Sequence, residues 1–499
     1  MTRSNTWNST LELKAGVCLD RQPRRVRARA PERVTVGRIA QFTVLAVMLG
    51  PGSADAGPAN RHNRGQVPQV VTLTGFGSPL PGVAQNPADL RTFAAGQLDF
   101  KEIETLPQIG PLFNGVSCAG CHSQPAIGGA GLFINEIRVR HNTQPGPVHI
   151  FAADNMLRQG AQSQGSTPTF TSGIEAEPLG CQLTVPGCAA SPCQQEEAAE
   201  TTFSTSLPTC DPSSADYAAG GNCVVGRAAT QLFGLGLVEA VADSTFDQLA
   251  QNQPAAVRGT VKRVIENGAQ RVARFGWKND HATLRVFSAD AYLNEMGITN
   301  PDAPTEVSNC ALHRQQFGIT LQMSDAPEDD TEPDGRADID RFADFMRALN
   351  APPTLPYSPG RNGARLFSQI GCQTCHVVNL TTAPNPASFI PPTTGGMPIS
   401  ATLNAALANR TFHPYSDFLL HDMGALGDGI ISGTAGPTMM RTAPLWGLRA
   451  RSRFLHDGRA ATVAEAIALH AGQGAAAAAA FRALSVSQQQ QVVDFLNTI

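Results

Sequence analysis

The stretch LFNGVSCAGCHSQP, residues 112–125, holds two cysteines and a histidine in the order C-x-x-C-H, namely Cys118, Cys121 and His122. The pattern returns in LFSQIGCQTCHVVN, residues 366–379, as Cys372, Cys375 and His376. A Leu-Phe pair precedes the first cysteine by the same distance in both stretches, which is a weak internal repeat. The sequence therefore predicts two related domains, each built around one motif.

Three chemistries use paired cysteines at this spacing: haem attachment, zinc binding and thiol exchange. Haem attachment needs two thiols for the vinyl groups and an adjacent imidazole for the iron, and C-x-x-C-H supplies all three within one helical turn. Paired zinc motifs usually lie about 15–20 residues apart, much closer than Cys118 and Cys372. A redox thiol pair does not need the histidine. We therefore predict two covalent haem c groups, with His122 and His376 as proximal iron ligands.

A distal ligand for the second haem is predicted from ATVAEAIALH, residues 461–470. Thr462 and Glu465 have the spacing of a capping box that opens a helix. Four residues then recur at i, i+3, i+4 and i+7: Val463, Ala466, Ile467 and His470. His470 thus falls on the apolar face, where it is either a hydrogen-bonded core histidine or the sixth iron ligand. An iron with two strong ligands carries electrons, whereas an open face can take peroxide or oxygen.

Two further amphipathic helices are predicted, one after each motif. DIDRFADFMRALNAPP, residues 338–353, has apolar residues at helical spacing and a Pro pair that ends the helix. SVSQQQQVVDFLNTI, residues 485–499, has a similar stripe, with Ser487 and Gln490 as its expected capping box.

The predicted fold class is mainly α, with two cytochrome c-like helical domains and long loops. The first domain spans residues 57–352 and the second spans 360–499, divided by a Pro/Gly-rich stretch. The first domain contains a disulfide-rich insertion around residues 160–230. Six cysteines remain outside the motifs and the first 56 residues: Cys181, Cys188, Cys193, Cys210, Cys223 and Cys310. They permit three disulfides, whose connectivity the sequence leaves open.

Residues 1–56 read as an N-terminal targeting segment. A basic stretch precedes the apolar run IAQFTVLAVMLG and the small residues Ala54 and Ala56, which is the order of a secretory signal peptide. A short membrane anchor is the alternative. Beyond residue 56 no run approaches a membrane span and no basic stripe suits nucleic acid. We therefore expect an exported, periplasmic protein.

The two C-x-x-C-H motifs, the first within FNGVSCAGCHSQPAIGG, followed by RTAPLWGLRARSRFLHDGRAATVAEAIALH, resemble the bacterial di-haem cytochrome c peroxidase superfamily. The resemblance is closer to its branch called the di-haem oxidoreductase family, often labelled thiol oxidoreductase-like. Segments similar to that branch include FGLGLVEA, RFGWKNDHATL, YLNEMGITN and PYSDFLLHDMG. The resemblance covers roughly residues 95–499 and breaks within the cysteine-rich insertion.

This resemblance implies further site residues. In the peroxidases a Met that binds the second haem lies fourteen residues after the HDG histidine, and here that position, counted from His456, is His470. Imidazole in place of a thioether lowers the reduction potential. The first haem lacks a matching distal histidine, since His141 and His149 fit the family spacing poorly, so its iron is expected to be open. Further candidates are Glu295 as an acid/base, His421 and His456 near a haem edge, Arg441 and Arg459 as propionate partners, Trp277 and Trp446 as electron relays, and calcium between the domains.

The sequence thus predicts a periplasmic di-haem c-type oxidoreductase that transfers electrons between a redox partner and a small oxidant or organic substrate. The reaction is expected at the first haem and is peroxidase-like. The expected partner is a small redox protein such as a cytochrome or a cupredoxin. The alternatives are a pure electron-transfer cytochrome with both haems six-coordinate, and oxygenase-type chemistry on an organic substrate.

Overall fold

A computed structural model of the 499-residue chain describes residues 75–104, 115–131, 134–140, 156–157, 209–218, 223–304, 329, 331–356 and 362–499. Several predictions fall outside these ranges: the targeting segment, His141 and His149, and the cysteines at 181, 188, 193 and 310. Within the described ranges, no helix is long and apolar enough to cross a membrane.

The described chain is rich in helices, most of them short. They are α1 (Pro81–Ala84), α2 (Pro87–Asp99), α3 (Cys118–Cys121), α4 (Ala215–Ala218), α5 (Leu235–Glu239), α6 (Asp243–Asn252), α7 (Leu284–Met296), α8 (Asp338–Ala348), α9 (Asn362–Gln369), α10 (Ala401–Leu407), α11 (Val463–Ala468), α12 (Ala475–Ala483) and α13 (Val486–Leu496).

Small antiparallel sheets accompany the helices, a feature that the mainly α prediction did not contain. The strands are β1 (Ile134–Arg140), β2 (Met156–Leu157), β3 (Cys223–Ala228), β4 (Arg263–Glu266), β5 (Ala269–Val272), β6 (Leu380–Thr381), β7 (Thr411–Phe412), β8 (Leu420–Asp422) and β9 (Met439–Arg441). β1 lies between β2 and β3, and the other strands form two-stranded pairs. A disulfide joins Cys210 to Cys223 at the start of β3. The prediction of disulfides is confirmed for this pair.

Both predicted amphipathic helices form, but one begins earlier than its pattern indicated. α8 buries Ile339, Phe342, Phe345 and Met346 and ends before the Pro pair, as predicted. α13 is capped by Ser485, whose hydroxyl accepts from the Gln488 N–H while the Gln488 side chain accepts from the Ser485 N–H. The Ser487–Gln490 capping box is therefore wrong. The S-x-x-Q pattern occurs twice here, and the earlier copy caps the helix and leaves Ser487 inside it.

Two large hydrophobic cores organise the described residues, and a small third cluster surrounds the Cys210–Cys223 disulfide. The larger contains α8 and reaches from Leu80 to Trp446. The smaller surrounds the second C-x-x-C-H motif and contains Leu366 and Phe367 of α9, Val463 and Ala466 of α11, and Val492 and Phe495 of α13. Leu380, Leu407 and Phe418 belong to the larger core, so the chain after residue 362 contributes to both cores. The predicted domain boundaries stay a prediction.

A buried ion pair ties three helices of the larger core together. Arg347 of α8 donates from Nε and Nη2 to the two carboxylate oxygens of Glu239 on α5, at 2.8 and 3.2 Å. The same carboxylate accepts from the backbone N–H of Leu284 at the start of α7. Burial opposes the charge of Arg347, but Glu239 outweighs it and raises the pKa of the guanidinium. The pair therefore satisfies its polar atoms internally, as buried charges require.

Candidate haem-binding sites

The first C-x-x-C-H motif forms a single helical turn. The two cysteines begin and end α3, and the N–H of His122 donates to the carbonyl of Cys118 at 3.0 Å. The Nδ1 atom of His122 lies 3.3 Å from the carbonyl of Gly129. That contact fixes the ring and leaves Nε2 as its metal-binding nitrogen, as in many protein sites where histidine binds a metal. Burial lowers the pKa of His122, which keeps the ring in the neutral form that binds metals.

A cavity of about 160 Å³ lies beside this motif. Its wall contains Cys118, Cys121 and His122 together with aromatic and thioether side chains from three helices or their ends: Phe100, Tyr292, Met296, Phe342 and Met346. Glu295, the predicted acid/base, also lies in this wall. The sequence thus identified a residue that the fold brings to the first motif, although its role stays a prediction.

The same cavity holds a histidine–carboxylate pair that the sequence reasoning missed. His281 and Asp290 both lie in the wall, with Nε2 of the histidine 3.1 Å from a carboxylate oxygen of Asp290. Burial would lower the pKa of His281, but Asp290 outweighs burial and raises it. His281 stands within the quoted segment RFGWKNDHATL, yet its partner lies nine positions later on α7, so the pair has no local signature in the sequence.

The second motif has the same turn and a similar histidine anchor. Cys372 begins a short 3₁₀ helix (Cys372–Thr374), and the N–H of His376 donates to the carbonyl of Cys372 at 2.9 Å. Nδ1 of His376 lies 2.9 Å from the carbonyl of Tyr415. Burial, helped by the nearby His470, lowers the pKa of His376 to about 4. The ring is therefore neutral at physiological pH.

His470 faces His376 across a cavity of about 420 Å³. The two ring centroids are 6.4 Å apart, and Nδ1 of His470 lies 2.8 Å from the carbonyl of Ala466. Imidazole nitrogens bind metals at about 2.0–2.1 Å in zinc sites, so two rings that share one metal atom have centroids about 6 Å apart. The 6.4 Å separation of these rings, each with Nδ1 near a backbone carbonyl, therefore fits a metal atom shared between them.

The predicted helix face around His470 is present. Val463, Ala466, Ile467 and His470 all line the second cavity, although α11 ends at Ala468 and His470 follows the helix. The Thr462 hydroxyl accepts from the Glu465 N–H at 3.1 Å. The Glu465 carboxylate accepts from the N–H of Ala461 instead of the N–H of Thr462. The cap is therefore one residue wider than the predicted box.

Two arginines line the second cavity, of which Arg441 is buried. Arg441 donates from Nε to the carbonyl of Gly276 at 2.7 Å. Nε of Arg451 is buried and has no hydrogen-bond partner among the described residues. Burial lowers the pKa of each to about 10. Buried cations need anionic partners. The propionates of a haem would be such partners, because a carboxylate can accept two parallel hydrogen bonds from one guanidinium.

The two arginines predicted to bind propionates differ in position. Arg441 lies in the cavity wall, whereas Arg459 is exposed and forms an ion pair with Asp457. Sequence reasoning missed Arg451, because the crowded RARSRF segment has no periodicity that distinguishes one arginine from the next. His456, the HDG histidine, lines the cavity, and burial lowers its pKa to about 4.

One tryptophan lies in the walls of both cavities. Trp277 lines the first and the second cavity, and its Nε1 donates to the carbonyl of Ala228 at 2.9 Å. Its ring lies 6.2 Å from that of His456. Trp446 is buried and packs against Phe412 in the larger core. Of the two predicted relays, Trp277 thus has the position that such a role requires.

A second histidine–carboxylate pair lies beside the second motif. Nε2 of His421 donates to Asp417 at 2.9 Å, and Nδ1 lies 3.0 Å from the side-chain oxygen of Gln473 and 3.6 Å from Sγ of Cys375. Burial opposes the charged ring, but Asp417 outweighs it and raises the pKa of His421 to about 10. Cys375, Asp417 and His421 are close enough to hold a metal ion, but haem attachment would use the Cys375 thiol.

The comparisons with known proteins identify the class of protein. A family described as "Di-haem oxidoreductase, putative peroxidase" matches residues 222–499. The chain belongs to this family, whose members are haem-based redox proteins. The matched range contains the second motif and begins after the first. The resemblance to the di-haem oxidoreductase family, noted from the sequence, is therefore confirmed.

Other comparisons add little. Among solved structures, the chain is similar to hydrazine synthase of Kuenenia stuttgartiensis pressurised with 20 bar xenon, at 15% identity and a TM-score of 0.22. That match covers 40% of this chain and 65% of that chain, and a score this low supports no conclusion about fold or function. No curated protein matches the chain. Calcium between the domains stays a prediction.

Proposed function

We propose that this protein is a di-haem c-type oxidoreductase in which a closed second haem exchanges electrons with a protein partner and an open first haem reduces a small oxidant. The observation that supports this proposal is the proximity of the His376 and His470 rings, whose centroids are 6.4 Å apart in the wall of one cavity. A bis-histidine iron has no free position for a substrate. Chemistry on a small molecule is therefore assigned to the first cavity.

The cofactors would be held by the two motifs. Cys118 and Cys121 would bind the first haem and Cys372 and Cys375 the second, with His122 and His376 as proximal ligands. When bound, haem supplies one-electron transfer and, where one face of the iron is open, binding of a peroxide.

The residues that line the two cavities have different roles in this proposal. Arg441 and Arg451 would neutralise the propionates of the second haem, which otherwise bring negative charge into a buried site. His281, with its Asp290 partner, and Glu295 stand in the first cavity as proton donors or acceptors for a peroxide. Trp277, which borders both cavities, would carry electrons between them.

The partner in this proposal is a reduced small redox protein in the periplasm, such as a cytochrome or a cupredoxin. Imidazole in place of a thioether sets the second haem at a low potential. The donor must then be a comparably strong reductant, unlike the donors that suit a His/Met haem. This expectation separates the protein from a simple cytochrome c peroxidase.

A pure electron-transfer cytochrome is the second candidate. Met296 and Met346 both line the first cavity, and a methionine thioether is a common sixth ligand of haem iron in cytochromes c. If either bound the first iron, both haems would be closed and neither would react with a small oxidant.

Turnover of hydrogen peroxide by the purified holo-protein, with a reduced cytochrome as donor, separates these candidates. Oxidation of the donor that depends on peroxide supports the enzyme. A protein that exchanges electrons with the donor but leaves peroxide intact supports the carrier. Variants Met296→Leu and Met346→Leu serve as matched controls, because gain of turnover in either would identify a thioether that closes the first iron.

A further inference from the structure

One hydroxyl group in the wall of the first cavity contacts two carboxylates. The phenol of Tyr292 on α7 lies 3.0 Å from Oε1 of Glu104 and 3.3 Å from Oδ2 of Asp338 at the start of α8. Tyr292 is 3% exposed, while Glu104 and Asp338 are half-buried. We call Glu104, Tyr292 and Asp338 the tyrosine–carboxyl cluster.

The proton count of this cluster is constrained by its chemistry. A phenol carries one proton and donates one strong hydrogen bond, while an ionised carboxylate only accepts. Tyr292 can therefore satisfy one carboxylate, and the other is best satisfied when it carries a proton and donates to the phenol oxygen. Two carboxylates that share a site also resist joint ionisation, because their like charges repel. The arrangement thus favours one proton beyond that of the phenol.

The charged groups around the cluster favour the extra proton. Its charged neighbours in the described chain are Asp99, Glu102, Asp329 and Arg341. The cation among them, Arg341, lies 3.5 Å from Asp99 and 3.4 Å from Asp334. Burial first, together with the surrounding carboxylates, raises the pKa of both Glu104 and Asp338. The hydrogen bond from Tyr292 opposes this rise at both carboxyl groups but is outweighed.

The cluster joins the first cavity to the solvent side of the fold. Tyr292 lines the cavity with Cys118 and His122, while Glu102, two residues before Glu104, is exposed. The backbone N–H of Glu104 donates to the carbonyl of Val116 at 2.8 Å, two residues before Cys118. A proton taken up at the carboxyl pair would therefore be separated from the cavity by one phenol group.

We propose that the tyrosine–carboxyl cluster stores one exchangeable proton and donates it through Tyr292 to a small oxidant that is reduced in the first cavity. This inference rests on the proposed function. Reduction of one hydrogen peroxide to two waters consumes two electrons and two protons. The reduced protein donor supplies the electrons, the cluster supplies one proton, solvent supplies the other, and the carboxyl pair is reloaded from solvent.

The stored proton is tested by infrared spectroscopy of the ferric holo-protein at neutral pH. Wild-type protein should show the carbonyl stretch of a protonated carboxylic acid, and the band should shift in D₂O. The difference spectrum between wild type and Glu104→Gln should contain this band. Glu332→Gln, which removes an exposed carboxylate outside the cluster and its charged neighbours, should give no such difference from wild type. A difference spectrum of Glu104→Gln without the band would overturn the proposal.

The donation step is tested with Tyr292→Phe, which keeps the ring and removes the hydroxyl. Peroxide turnover should fall by about 100-fold, the lower end of what general acid catalysis contributes, while the visible spectrum of both haems stays as in wild type. Glu332→Gln should turn over at the wild-type rate. Wild-type turnover by Tyr292→Phe would refute donation through the phenol. A wild-type protein that shows the acid band but no peroxide turnover would refute the proposed function and leave the stored proton standing.

Discussion

The proposed iron ligands share a local design that operates at the level of single residues. His122, His376 and His470 each place Nδ1 near a backbone carbonyl, at 3.3, 2.9 and 2.8 Å. Such contacts select the tautomer and leave Nε2 for the metal. Two of these histidines were predicted from the motif and the third from its helix face. The carbonyls that fix them belong to Gly129, Tyr415 and Ala466, which no sequence pattern indicates.

Replacing the distal histidine tests its role directly. In His470→Met the reduction potential of the second haem should rise, because thioether ligation favours the reduced iron. A spectroelectrochemical titration measures the change. His413→Met is the matched control, since His413 is exposed and contacts Asn379, and its potentials should equal those of wild type. Equal reduction potentials in all three proteins would show that His470 is not a ligand of the iron.

The buried pair of His421 and Asp417 should make stability depend on pH. Against burial, Asp417 and the Cys375 thiol raise the pKa of His421 from 6.5 to about 10 in the folded state. Asp417 remains the partner of His421 when haem attachment uses the thiol, so the native protein keeps a proton that the unfolded chain has lost. This stabilisation is complete below pH about 6.5 and disappears as the pH rises toward about 10.

Urea unfolding of the holo-protein across that alkaline range measures the effect. Wild type should lose stability as the pH rises, and His421→Gln should lose the part of this slope that comes from the imidazole. His413→Gln should keep the full slope. If His421→Gln and wild type have the same slope, His421 is not held as a cation.

At the level of elements, one short helix directly precedes His470, the proposed distal ligand of the second haem. α11 contains only six residues, too few to be stable alone, so its cap and its packing in the smaller core must hold it. The Thr462 hydroxyl provides the cap. We therefore expect the distal ligand to be sensitive to a change eight residues before it.

Removing this cap provides the test. Thr462→Ala should cost about 1 kcal/mol of stability and should allow slow cyanide binding at the second haem, because a loosened α11 releases His470 transiently. Ser485→Ala removes the cap of α13 at a similar cost, and it should leave the second haem unreactive toward cyanide, as in wild type. Stopped-flow mixing measures the rate. Equal rates in the two variants would show that the cap of α11 does not control the ligand.

At the scale of the whole molecule, the Glu239–Arg347 pair should be a major determinant of stability. Arg347→Met leaves a buried carboxylate without its cation, which costs about 3–5 kcal/mol. Arg341→Met removes partly exposed ion pairs with Asp99 and Asp334 and should cost less than about 1 kcal/mol. Midpoints of urea unfolding compare the two. Similar losses in both variants would contradict the role given to the buried pair.

The sequence predicted what depends on local spacing and missed what depends on contacts between distant segments. The C-x-x-C-H spacing predicted the turns of both motifs. Helical periodicity predicted the buried face of α8 and the face of α11 that continues to His470. Asp417 and His421 are four residues apart, yet their contact with Cys375 joins β8 to the second motif. Arg451 and Arg459 stand in one arginine-rich segment, and tertiary packing alone turns one toward the cavity and the other toward solvent. Tyr292 meets Glu104 and Asp338 from positions nearly 190 and 46 residues away.

The central claim is that the second haem is closed by two histidines while the first is open. An electron paramagnetic resonance spectrum of the ferric holo-protein, recorded with and without cyanide, tests it most directly. We predict one low-spin bis-histidine signal that cyanide does not change, and a second, high-spin signal that cyanide converts to low spin. Two low-spin signals that cyanide leaves unchanged would contradict an open first haem.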